Sequence, residues 1–424
     1  MAGLLSFGPE GIDLPLQPLN VLIGPNGSGK SNLLEVLALL RASPINLPAP
    51  ETSPAGQRRK DPAGRRRSPT SAPPVPACPP RRRPPIKAIG GVDEWLWKAP
   101  TVAGLTKTVN AATIDAVVQS PPQGPLPLRH VLEITRHGDR FEVADERIEN
   151  EHPQAGHTDT YFFYRYQHGE PFINDPEARG LRRESVKPEM SILSQVKDPE
   201  RYPVLGWLQD QYEQIRLYRD WTFGPSTSLR RMQSSHGRND ILDDGADNLI
   251  LVLSSILPRV EDRFVDALRQ LYEGVDGIYA TVRDGNLLLS LKESGGRLIT
   301  MARLSDGTLR YMTLLCILLH PDPPPLVAIE EPELGLHPDL IPEIAELLVE
   351  ASRRMQLVVT THSRMLVDAL TAHPSSVVVC TKEDGASHFE RLDEGHLKQW
   401  LENYSASATL GDLWSSGDIG GNRW

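Results

Sequence analysis

The chain is poor in cysteine, has no long apolar run and carries no excess of positive charge, and each lack narrows what it can be. Its 424 residues hold three cysteines, Cys78, Cys316 and Cys380, odd in number and far apart. Neither a disulfide framework nor a zinc knuckle is written in them. No apolar stretch approaches the roughly 18 residues an ordinary membrane-spanning helix needs. Met1-Ala2-Gly3-Leu4-Leu5 lacks the basic region and apolar run of a secretory signal, so the cytoplasm is the expected compartment. No heptad pattern persists, so long coiled-coil arms are not expected. Basic residues number 45 against 55 acidic ones, a net charge of −10.

That charge is unevenly spread. Residues 44–88 hold ten Lys/Arg against Glu51 and Asp61, a local +8, together with 13 of the 38 prolines. The remainder therefore carries −18, which argues against a nucleic-acid-binding surface over the whole body. The Pro/Arg-rich segment, with triplets Arg65-Arg66-Arg67 and Arg81-Arg82-Arg83, cannot bury enough apolar surface to offset its ordering entropy. It reads as a disordered insertion, either neutral or a local arm for DNA or RNA.

Asn20-Val21-Leu22-Ile23-Gly24 reads as a buried parallel strand, and Lys30 to Leu37 takes helical spacing. The text becomes globular again at Val92, with Trp95-Leu96-Trp97, and Leu128 to Glu142 alternates as strands around His137-Gly138-Asp139. Residues 190–275 read as mostly helical, including Asn248 to Leu257 and Val260 to Tyr272. A hairpin follows, Ile278 to Val282 and Leu287 to Leu291, turning at Asp284-Gly285-Asn286. The last third alternates strands (Leu326 to Ile329, Leu357 to Thr360, Ser376 to Cys380) with helices (Leu309 to Leu319, Pro342 to Arg353, Ser363 to Leu370). Strand–helix alternation at both ends implies an α/β fold with one mostly parallel sheet closed from distant segments. The expected division is 1–43 and 276–424 as two parts of one α/β head, 44–88 as the insertion, 89–190 as the β-rich part of the head, forming an antiparallel β subdomain, and 191–275 as a helical lid or insertion.

The chemistry concentrates in three places. Gly24-Pro25-Asn26-Gly27-Ser28-Gly29-Lys30-Ser31, followed by Asn32, fits the pattern of a phosphate loop between strand and helix. Its glycines let successive N–H groups turn into one concavity at a helix N-terminus. Lys30 would reach the β- and γ-phosphates, and the Ser31 hydroxyl would bind Mg²⁺. Second, Leu326-Val327-Ala328-Ile329-Glu330-Glu331 delivers two carboxylates at the end of an apolar strand, the place where a parallel sheet keeps its ligand crevice. Glu330 suits a Mg²⁺ partner, and Glu331 suits a base for an attacking water. Third, Leu304-Ser305-Asp306-Gly307-Thr308 opens an apolar helix. By itself it is a capped helix start; beside the other two motifs it is a second anion site.

This order of motifs resembles the ATP-binding-cassette superfamily, in its SMC- and RecF-like branch. The resemblance implies a P-loop ATPase head using ATP and Mg²⁺, with Leu304 to Thr308 standing for the LSGGQ signature. Asp306 and Thr308 depart from that signature; Ser305 and Gly307 keep its serine and second glycine. Glu330-Glu331-Pro332 stands where transporters have Asp-Glu-Pro, His337 takes the place of the D-loop aspartate, and His362, in Thr360-Thr361-His362-Ser363, matches the switch histidine. Gln195 is the candidate for the Q-loop metal contact. More narrowly, the chain is similar to stand-alone bacterial AAA-type ATPases, through Trp95-Leu96-Trp97, the block Glu330 to Pro338, and the tail Leu413-Trp414 to Trp424. That similarity implies an ATP-dependent homodimer with the signature acting in trans, a role in DNA maintenance or antiphage defence, a nuclease- or toxin-like effector, DNA as a further partner, and no membrane. Two other readings stay open: an ATPase subunit of a transporter, and an ATP-binding module with little turnover.

Overall fold

The computed structural model describes residues 1–45, 47, 92–99, 109–122, 124–137, 140–167, 169–175, 180–183, 186–219, 221–393, 395, 397 and 409–419. Nearly all of the 44–88 insertion and residues 420–424 of the tail lie outside the described residues. In chain order the elements are β1 (Leu19–Ile23), α1 (Lys30–Ala42), α2 (Val92–Trp95), β2 (Ala111–Val118), β3 (Leu128–His137), β4 (Arg140–Asn150), β5 (Phe162–Gln167), β6 (Glu170–Asp175) and β7 (Gly180–Arg183). There follow α3 (Ile192–Gln195), α4 (Pro203–Glu213), β8 (Arg216–Tyr218), β9 (Gln233–Ser234), α5 (Leu249–Leu271), β10 (Val275–Arg283), β11 (Asn286–Glu293), β12 (Leu298–Thr300) and α6 (Asp306–Leu318). The chain continues through β13 (Leu326–Glu330), α7 (Ile341–Ala351), β14 (Gln356–Thr360), α8 (Arg364–Ala369), β15 (Val377–Glu383), β16 (Ala386–Arg391) and α9 (Leu410–Ser416).

The main sheet has the order β16-β15-β1-β14-β13-β8 and is parallel except for β16. Its strands are apolar on both faces, and their alternation divides the core into two layers. Val21, Ile23, Val327, Ile329, Leu357 and Val359 pack on the side of α5 to α8. Leu22, Ala328, Val358, Val378 and Cys380 pack on the side of α1, α4 and the antiparallel β2–β7 sheet. β1 thus lies centrally although it is first in the chain, and it pairs with strands more than 330 residues away. The distant-segment sheet inferred from the sequence is the one observed.

Two readings of the middle need correction. Residues 191–275 are not only a helical lid or insertion on the head: β8 is a strand of the main sheet, paired with β13 through Val327–Arg216, Ala328–Leu217 and Ile329–Tyr218. Three residues are too few to show a period, so β8 is invisible as a pattern. The segments Asn248 to Leu257 and Val260 to Tyr272 join in one helix, α5 (Leu249–Leu271), that runs through Pro258. A proline forfeits a single helical bond, and here Ile256, Leu257, Phe264 and Leu268 bury on one face and hold both halves in line. The hairpin is as expected, turning on Asp284 (φ 49°) and Gly285 (φ 73°) between β10 and β11. β9 and β12 extend that hairpin into a small sheet.

Candidate functional site

Register brings the chemistry together. Thr360, the last residue of β14, lies opposite Leu22 of β1 on one side and Glu330 of β13 on the other. The loops leaving these three neighbouring strands carry Gly24–Lys30, Glu331 and His362. They converge at the carboxyl ends of the strands, where a parallel sheet places its ligand.

Gly24 and Gly29 of the first loop are required by space as well as by dihedral angle. A Cβ on Gly24 (φ 144°) would stand 2.1 Å from the Cys380 carbonyl oxygen, and one on Gly29 (φ 100°) would stand 2.2 Å from Ser387 Oγ and 2.6 Å from Ser6 Oγ. Ser6 and Ser387 hydrogen-bond each other at 2.6 Å, and Asn32 Nδ2 donates to Ser6 Oγ at 2.7 Å, so the N-terminal segment and β16 brace the loop from behind. Helix α1 starts at Lys30, so its first N–H groups have no acceptor within the helix. The Lys30 ammonium is buried and donates to the carbonyls of Gly24 (2.8 Å) and Pro25 (2.9 Å). Burial pushes it below the ordinary lysine range, against the opposing pull of Cys380, Glu331 and Glu330. Ser28 Oγ is buried and makes no hydrogen bond among the described residues.

At the end of β13, Ser31 Oγ donates to Glu330 Oε1, and Arg219 Nε donates to Glu330 Oε2 at 2.9 Å. Arg219 also pairs with Glu35 of α1. Burial opposes ionisation of Glu330, but the hydrogen bonds from Ser31 and Arg219, with the charges of Arg219 and Lys30, outweigh it and hold the carboxyl below its usual value. Glu331 adopts φ 47°, the left-handed region that a non-glycine residue enters at a cost of about 1–2 kcal/mol. Its N–H is fixed by the Thr360 carbonyl at 2.9 Å.

His362 is tethered from the neighbouring loop. Glu333 Oε1 accepts from Thr361 Oγ1 (2.6 Å) and from the His362 N–H (3.1 Å), while burial raises the Glu333 carboxyl above its usual range. Burial and then the Lys30 charge keep the His362 imidazole below its ordinary value, with Glu331 opposing. Ser305 caps α6, its Oγ accepting from the Thr308 N–H at 3.0 Å. A Cβ on Gly307 would come within 3.3 Å of the Gly335 carbonyl, so the start of α6 lies beside the loop that leaves Glu330 and Glu331. His337 caps the short 3-10 turn Pro338–Leu340.

Gln195 is a correction. Its amide is spent on its own turn: Lys187 N–H donates to Oε1 at 2.8 Å, and Nε2 donates to the Met190 carbonyl at 2.9 Å. Among the described residues its side chain makes no hydrogen bond to the phosphate loop. The side chain that borders Glu330 is Arg219, one residue past β8, and neither it nor Glu333 was singled out from the sequence. Glu333 lies inside the Glu330–Pro338 block and was legible as a third acid near the strand end. Arg219 carries no local signal, since only the pairing of β8 with β13 brings it to Glu330.

The donor set suits a hard cation with a polyphosphate. An oxygen pair from Ser31 and Glu330, an orphaned buried hydroxyl on Ser28 and a loop that tolerates only glycine at positions 24 and 29 are what Mg²⁺ and phosphate oxygens require. A mostly parallel sheet with a phosphate loop after one strand and twin carboxylates two strands away defines a P-loop nucleotide-binding fold. The chain belongs to the AAA_21 family, described as "AAA domain, putative AbiEii toxin, Type IV TA system", whose model matches residues 19–77 and 120–368. Among solved structures it is similar to an SMC head bound to the C-terminal winged-helix domain of ScpA, at 14% identity and TM-score 0.51, covering 93% of this chain and 97% of that one. An SMC head domain from Thermotoga maritima also matches, at 14% identity and TM-score 0.43, covering 92% and 97%. Among curated proteins no significant match is found. Among the described residues no helix is long and apolar enough to cross a membrane.

Proposed function

We propose that the chain is an ATP-hydrolysing switch in which two copies close head to tail on ATP. The observation that carries this is the register at Thr360, which sets the loops of Lys30, Glu331 and His362 side by side. In this reading the backbone from Gly24 to Asn32 cradles the phosphates, Lys30 leaves its two carbonyl partners for the β- and γ-phosphates, and Ser31 and Glu330 hold Mg²⁺. The metal supplies charge neutralisation on the phosphate oxygens. Glu331 accepts a proton from the water whose oxygen bonds to the γ-phosphorus, as the bond to the ADP oxygen breaks. His362 donates a ring N–H to the γ-phosphate. Ser305 and Gly307 of the second copy cover the nucleotide from the other side, so hydrolysis removes the group that bridges the two chains.

The family description, which names a "putative AbiEii toxin" of a type IV toxin–antitoxin system, favours a defence role over DNA maintenance; a toxin- or nuclease-like effector is the partner such a role would use. The body of the head, with its −18 charge outside residues 44–88, leaves that segment as the place for any DNA contact. The test mixes two inactive chains, Lys30→Ala and Ser305→Arg. With random pairing about half of the dimers are mixed, each with one intact composite site, so activity returns to roughly a quarter of wild type. Normal hydrolysis by Ser305→Arg alone sinks the shared site.

A further inference from the structure

The signature departs from its pattern at Asp306, and the structure shows what accompanies that departure. Arg230, in the 3-10 turn Ser228–Arg230, reaches across to the start of α6. Its Nη2 donates to Asp306 Oδ1, its Nη1 to the Leu304 carbonyl at 2.6 Å, and its Nε to the Phe223 carbonyl at 3.1 Å. The Arg230 side chain is only 10% exposed, whereas that of Asp306 is 64% exposed. A nearly buried guanidinium therefore grips a solvent-facing carboxylate and the backbone on which that carboxylate stands.

A carboxylate at the first position of a helix favours the helix dipole, but it repels any phosphate brought to the same N-terminus. We infer that Arg230 is a positioning residue that makes this acidic signature compatible with the γ-phosphate of the partner's nucleotide. Its charge cancels that of Asp306, and its bond draws the carboxylate toward Arg230, leaving Ser305 Oγ and the Gly307 N–H for the anion. This rests on the shared-site reading above. Next to it, the Arg310 guanidinium lies over Trp221 (5.7 Å) and Phe223 (5.3 Å), so the segment carrying Arg230 is packed against α6 at a second point.

The test uses full-length protein carrying Glu331→Gln, with ATP and Mg²⁺, and reads the dimer dissociation constant by sedimentation. Arg230→Gln keeps an amide donor but loses the charge, and should weaken the dimer by about tenfold or more. Arg230→Lys should stay close to the parent. Adding Asp306→Asn to Arg230→Gln should restore the parent value to within about threefold, because the uncompensated acid is gone. A purely structural clamp would not be rescued in this way, so a double variant as weak as Arg230→Gln overturns the inference. So does an Arg230→Gln dimer as tight as the parent. Ser305→Arg in the same background separates the two levels: if it abolishes the dimer while Arg230→Gln does not, only this inference fails, and if it dimerises normally, the shared-site reading fails first.

Discussion

Arg219, one residue beyond strand β8, holds Glu330 at the end of β13 by a 2.9 Å hydrogen bond while pairing with Glu35 of α1. It turns one carboxylate oxygen toward itself and leaves the other to Ser31. Arg219→Ala should therefore raise the Mg²⁺ concentration for half-maximal ATP hydrolysis by about tenfold, as loss of a partner that orients a ligand does. Phosphate release measured across a Mg²⁺ titration checks this; an unchanged midpoint would show that Ser31 alone orients Glu330.

Glu331 sits at φ 47°, and that strain separates stability from activity. Glu331→Gly should abolish hydrolysis yet leave the protein as stable as before or up to about 1 kcal/mol more so, since glycine enters that region freely. Urea unfolding beside a phosphate-release assay tests both halves. A clear loss of stability would mean that the side chain packs rather than serves the reaction.

Gly29 offers a sharper steric test. With Ser387 Oγ 2.2 Å and Ser6 Oγ 2.6 Å from a new Cβ, and φ 100°, Gly29→Ala must displace the loop. ATP affinity, read with a fluorescent analogue, should fall at least tenfold, while the sheet behind remains folded. Lys30→Ala should likewise lose binding, whereas Glu331→Gln should bind ATP and elute as a dimer in size-exclusion chromatography.

The His362 imidazole is held low first by burial and then by Lys30. Because its folded pKa lies below the unfolded value of about 6.5, its contribution to stability is full above that value. It is lost as pH falls through the folded pKa. Lys30→Ala should raise the His362 pKa, with the NMR titration of its ring protons as the readout. If the curve stays where it was, the two side chains are not electrostatic neighbours.

Away from the site, His130, Glu146, Ser191 and Tyr212 form a buried network. Glu146 accepts from Ser191 Oγ at 2.5 Å and from the Ile192 N–H at 2.8 Å, and faces His130 Nε2 at 3.2 Å. It ties β3 and β4 to the start of α3. Glu146→Ala leaves several buried polar atoms unpaired and should cost about 3 kcal/mol of stability. Thermal unfolding would show it, with ATP affinity at permissive temperature little changed.

Much of this protein was legible in one dimension. The phosphate loop needs consecutive residues of fixed type, because one short turn must both close on glycine and present Lys30 and Ser31. The strand ending in Glu330-Glu331 needs only an apolar run with acids behind it. The turn at Asp284-Gly285 is equally local. What could not be read depends on partners far apart in the chain. β8 is three residues long and exists because β13 offers an edge, so Arg219 comes to Glu330 by pairing rather than by spacing. Gln195 had the right residue type between the right motifs, but its amide is satisfied by the carbonyls and N–H of its own turn. Asp306 looked like a plain departure from the signature until Arg230, 76 positions earlier, was found against it. The sequence by itself determined the residues that turn and bind locally. Which charges those residues would meet was decided by the tertiary structure, because strand register and side-chain reach are properties of the packed chain.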